Sequence, residues 1–281
     1  MEILCDRDER LAPTRDQGVI LQKYHAFGRN SHARVSYLMV MPQFQGWLMD
    51  DQPDILLVDG HCHDQSLGKV SPLSVFCAAL FDIVSDPHGG PATHVPSQRP
   101  RVVLSFFCGQ HTTPASSLQG PLGLIRSLID QLLMQWPEYD HVDLSFLAYE
   151  PELWGAVSQH DLPSLCYLFG RLLEQLRPDT IVYCIIDGIS QFETSLKGWR
   201  DSLGEVVNCF LSYVFNNINI PGAGACVKFL LASSDKSTII RHIVPLDHHI
   251  DLRAGNMHAR PVSQNNLLSE MRSQYSSEEH I

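Results

Sequence analysis

The chain has 281 residues, 44% hydrophobic and 18% charged, enough apolar material to close a full core in one large domain. Its formal net charge of −11 excludes the clustered positive field that a nucleic-acid backbone or an anionic membrane requires. No apolar run approaches the roughly 20 residues of a membrane span, and the opening MEILCDRDERLAP is too acidic for a secretory signal, so the expected compartment is the cytoplasm.

The eight cysteines are scattered, several within apolar runs such as YCII and SFFCG, where a thiol behaves as a small hydrophobe. No CxxC pair occurs, so neither a zinc ribbon nor a disulfide framework is indicated.

Residues 1–45 carry no clear period and are read as an N-terminal extension. The main domain is expected over 46–250. The polar stretch 251–281 reads as a tail, frayed or cut from something longer. Within the main domain, Ile55–Val58 is a short apolar strand closed by Asp59 and Gly60. Ser71 is placed to cap a helix that Pro72 begins, over about 72–84, because the missing N–H of a proline costs nothing at that position. The proline- and glycine-rich stretch 85–100 is a loop, and RVVLSFFCG is a second buried strand.

Leu122, Ile125, Leu128, Ile129, Leu132 and Leu133 then recur at helical spacing. A helical region around 161–177 precedes the strand 181–187, and a helix over about 199–217 precedes the strand 226–234. Strands that alternate with helices of this length specify a mainly parallel sheet covered on both faces, an α/β three-layer sandwich. Such sheets bind ligands beyond the carboxyl ends of their strands, which directs attention to the residues after 58, 107, 186 and 232.

The order of elements, with GHCHDQSLGKVS after the first strand, IVYCIIDGISQFE at the third and VKFLLASS at the fourth, resembles the nucleotide-binding domain of NACHT-type P-loop NTPases of the STAND class. The nearest likeness is to the divergent set in fungal signalling proteins, and it extends over about residues 44–250. The resemblance implies ATP or GTP with magnesium, held through Gly60, Gly68, Lys69, Ser71 and Asp187.

The motifs depart from that family in three places. Gly60 and Gly68 stand seven residues apart and Val70 separates Lys69 from Ser71, so the phosphate cradle is mis-sized and Lys69 falls before the first helical turn. Ser190 and Gln191 occupy the positions of the hydrolytic acids, and neither a hydroxyl nor an amide serves as general base near neutral pH. Glu193 stands two residues too late and is expected to be solvated. At the fourth strand the turn Ala232, Ser233, Ser234, Asp235 lacks the family's arginine, and Arg241 is expected to face solvent.

Other constellations are weaker. His61, Cys62, His63 and Asp64 are ligand types, yet adjacent residues cannot all turn to one tetrahedral ion, and no metal is expected. DHH at 247–249 is read as a strand-end loop. HGG at 88–90 could suggest a lipase oxyanion loop, but no G-x-S-x-G elbow exists in the chain. Cys108 beside His111 is taken as a buried structural thiol.

The expected function is a P-loop-like domain without nucleotide turnover, no catalytic residues and no required cofactor, acting as a scaffold for protein partners. The alternatives are a nucleotide-binding switch with slow or absent hydrolysis, and an enzyme of unrelated chemistry using the 61–64 loop.

Overall fold

The computed structural model describes residues 4–27, 35, 37–62, 69–85, 99–137, 141–217 and 224–253. Five strands form its sheet: β1 (Asp54–Asp59), β2 (Arg101–Phe107), β3 (Ile181–Asp187), β4 (Cys226–Ser233) and β5 (His249–Asp251). They lie in the order β2-β3-β4-β1-β5, every pairing parallel. The expected α/β/α sandwich is therefore the observed fold, and the strands predicted from apolar runs fall within a residue or two of their actual bounds.

Alternation along the strands divides the core in two. Ile55, Leu57, Val182, Cys184, Ile186, Phe229 and Leu231 point to one face, under α5 (Gly120–Met134), α8 (Leu162–Gln175) and α9 (Trp199–Asn217). Leu56, Val58, Tyr183, Ile185 and Leu230 point to the other, under α4 (Pro72–Ser85). Strands buried on both faces read as continuous apolar runs, as these do. The chain leaves β1 past β4 and β3 to reach β2, then returns through β3 to β4, which puts α4 on the face opposite α5, α8 and α9. The connection leaving β1 runs toward β2 and the one leaving the adjacent β4 runs the opposite way toward β5, so the crevice beyond the carboxyl ends of β1 and β4 is where the topology opens a site.

Before β1 lie α1 (Arg7–Arg10), α2 (Ala12–Gln22) and α3 (Pro42–Met49). Two more, α6 (Ser145–Tyr149) and α7 (Pro151–Ser158), lie between α5 and α8. The stretch expected as an extension is packed into the domain. Ile20, Phe44 and Trp47 lie in the core beneath α4, and Gln17 donates to the Ala78 carbonyl and to Asp82 on α4. Glu9 receives Arg126, and Arg10 reaches Asp130, both on α5. The expected boundary at 45 falls inside α3. Lys228, buried at the centre of β4, donates to the Trp47 and Asp50 carbonyls at the end of that helix.

The outer edge of β2 is closed by side chains. Gln131 donates to and accepts from the Ser105 backbone, and Gln135 does the same for Val103, so two glutamines one turn apart on α5 stand in for a missing strand. Among the described residues no helix is long and apolar enough to cross a membrane.

Candidate functional site

The parallel register brings the strand ends level: Asp187 lies opposite Ala232, Asp59 opposite Ser233, and Asp59 again opposite Asp251. Three carboxylates thus line one edge, each delivered by a different strand.

Asp187 is 1% exposed at the end of β3. Burial pushes its carboxyl up to about 7, against smaller opposing effects from hydrogen bonds of Ser74 and the Gly188 amide. Among the described residues its Oδ1 has no hydrogen-bond partner. Gly188 follows in the left-handed region at φ 69°, which lets the chain turn away from the strand at once.

Ser71 caps α4, as the sequence predicts. Its hydroxyl accepts from the Ser74 amide at 3.1 Å, and the Ser74 hydroxyl accepts in return from the Ser71 amide at 3.0 Å. The two hydroxyls are 3.2 Å apart. This reciprocal cap occupies an amide that a phosphate would otherwise take. Lys69 is exposed, as its place before the first turn implies, and its backbone crosses above the end of β2: a Cβ built on Gly109 would come within 2.6 Å of the Lys69 carbonyl oxygen. Gly60 extends β1, donating to the Ser233 carbonyl at 2.8 Å. Gly68, His63 and Asp64 lie outside the described residues, as do residues 88–90. Of the five residues assigned to nucleotide, Ser71 and Asp187 are joined through Ser74, while Lys69 stands apart.

Two expectations are overturned beside this edge. Glu193 is not solvated: its carboxylate accepts from the amides of Thr238, Ile239 and Ile240 and from the hydroxyls of Ser237 and Thr238. Burial acts to raise its carboxyl, but the Ile240 amide, the Ser237 hydroxyl and the neighbouring amides outweigh it and hold the group below its ordinary value. Arg241 does not face solvent. Its side chain is 21% exposed and its Nη1 lies 3.6 Å from Asp59 Oδ2, without a hydrogen-bond partner among the described residues. Asp59 is held up chiefly by burial, partly offset by the Ser237 amide at 2.8 Å and by Arg241.

The DHH stretch divides. His248 meets Asp54 at 2.8 Å from a short turn, and His249 opens β5, a strand absent from the sequence reading. His61 pairs with Asp251 at 2.8 Å, and Cys62 is buried. Among the described residues no group of three or more His, Cys, Asp or Glu is arranged to hold a metal.

Beside Asp187, Ser190 and Gln191 bring no base, and Glu193 is held by the donors of the 237–240 turn.

A family model described as Nephrocystin 3, N-terminal matches residues 35–233, more than two thirds of the chain. No curated protein and no solved structure matches it.

Proposed function

We propose that this chain, which belongs to the nephrocystin 3 N-terminal family, is a NACHT-like P-loop domain that has kept its fold, given up nucleotide hydrolysis, and serves as a scaffold for protein partners. The observation that carries this reading is the fate of Glu193. In a working site an acid next to Asp187 would orient water; here the nearby acid holds a turn together with five donors. The exposed Lys69 and the self-satisfied Ser71–Ser74 cap favour the same conclusion.

A second reading is a switch that binds ATP or GTP with magnesium and hydrolyses it slowly or not at all. One observation favours it: Asp187 Oδ1 is a buried acceptor with no partner among the described residues, beside the Ser74 hydroxyl at the start of α4.

Thermal-shift titration with ATP, GTP and their diphosphates, with and without magnesium, separates the two. A ligand at about 100 times its Kd adds roughly 2.7 kcal/mol, a few degrees for a domain of this size. The scaffold reading expects no shift with any nucleotide. A shift that vanishes in Lys69→Ala or Asp187→Asn would establish the switch instead.

A further inference from the structure

Away from the sheet edge, two residues of one loop meet a third from a distant helix at one cleft. His111 ends the short turn Cys108–His111 that leaves β2, Ser116 follows in the next loop, and Asp16 comes from α2. The Ser116 Oγ is 2.7 Å from His111 Nδ1, and Asp16 Oδ2 is 2.8 Å from His111 Nε2. All three line an open cavity of about 310 Å3. We propose that Ser116, His111 and Asp16 form an acyl-transfer triad, with Ser116 as nucleophile, His111 as its base and Asp16 as the positioning residue, acting on small uncharged carboxylic esters.

The chemistry follows from the order of contacts. With its proton on Nε2, facing the Asp16 carboxylate, the imidazole leaves the Nδ1 lone pair to accept from the Ser116 hydroxyl. The roles of the two ring nitrogens are set by which neighbour each one meets. The Asp16 oxygen is close to Nε2 but not aligned as a hydrogen bond, so in this resting arrangement it acts through its charge. His111 is 3% exposed and packed at 4.6 Å between ring centres against Phe106, which fixes the ring plane. Ser116 is half-buried and reachable from the cavity.

In the forward step the Ser116 Oγ bonds to the ester carbonyl carbon and its proton passes to Nδ1. The carbon–alkoxy bond then breaks, and that proton leaves with the alkoxide as an alcohol. Water repeats the sequence on the acyl-serine, releasing the carboxylic acid and restoring the hydroxyl. Gln110 and Thr113 line the same cavity and carry donors of the kind that stabilise a developing oxyanion. Asp8, Glu9 and Asp16 against Arg15 give the lining an acidic excess, which disfavours anionic esters.

The test is labelling of the full chain with a fluorophosphonate, read by mass spectrometry, together with p-nitrophenyl acetate hydrolysis. The expected result is one adduct, on Ser116, and hydrolysis lowered at least roughly 10²-fold in Ser116→Ala at an unchanged melting temperature. In Ser116→Cys, iodoacetamide should alkylate the introduced thiol faster than it does once His111 is also replaced by Gln. Asp16→Asn should slow labelling and change its pH profile. Equal labelling or equal hydrolysis in wild type and Ser116→Ala overturns the proposal, whatever the nucleotide titration returns.

Discussion

The carbonyl oxygen of Lys69 occupies the space beside Gly109 that a side chain there would need. The Lys69 backbone is thereby held close against the turn that follows β2. Gly109→Ala would place a methyl 2.6 Å from a backbone oxygen, which cannot swing aside as a flexible side chain would. The expected cost is about 1–3 kcal/mol in denaturant unfolding, while Lys69→Ala, at an exposed position, should stay within about 0.5 kcal/mol.

Asp187 makes stability depend on pH in an unusual direction. Unfolded, its carboxyl ionises near its ordinary value of 3.8; folded, it keeps its proton to about 7. The folded state therefore binds more protons across that window, and this group's contribution, fully present at low pH, is lost as pH rises through 7. Asp187→Asn should remove that slope and raise stability at pH 8 by an amount on the order of a few kcal/mol, read as the difference in unfolding free energy between pH 5 and pH 8 for the two proteins.

Glu193 behaves in the opposite sense. Its carboxyl is held below the ordinary value of 4.5, so its contribution is present above that pH and lost as pH falls through the depressed folded value. Glu193→Ala leaves the amides of Thr238, Ile239 and Ile240 without their acceptor and should cost about 2–4 kcal/mol at pH 7. Glu193→Gln should cost less and reduce the acid sensitivity. Unfolding midpoints between pH 3 and pH 7 would show both effects.

The glutamine closure of β2 makes a prediction about association. Replacing Gln131 and Gln135 together by Leu should expose the Val103 and Ser105 backbone groups along an edge strand. The variant is expected to lose about 1–3 kcal/mol of stability and to self-associate by light scattering at concentrations where the wild type stays monodisperse. A monodisperse variant of unchanged stability would show that the edge needs no such cover.

The sheet was legible because its strands are buried on both faces, which forces nearly unbroken apolar runs such as IVYCIID, and because the intervening helices repeat apolar residues at three- and four-residue spacing. Asp187 at a strand end and Ser71 before Pro72 were legible for the same reason: each is a local signal. The three-residue β5 carries no such signal. It pairs with β1 only because the chain, leaving β4, crosses past β1 to its far edge, and three residues cannot display alternation.

The roles of Glu193 and Arg241 were equally hidden. A lone acid after a turn and a lone arginine near a short helix read as solvated, and only the approach of the 237–240 turn to the end of β3 and of Arg241 to Asp59 gives them partners. Asp16, His111 and Ser116 share no motif because α2 reaches the loop after β2 through tertiary packing. Residue chemistry and burial, read locally along the chain, were enough to specify the layers, the strand ends and the lack of hydrolytic acids at 190 and 191. Which polar groups meet depended on the folded arrangement, because hydrogen bonds between residues tens of positions apart form only where the core places their backbones.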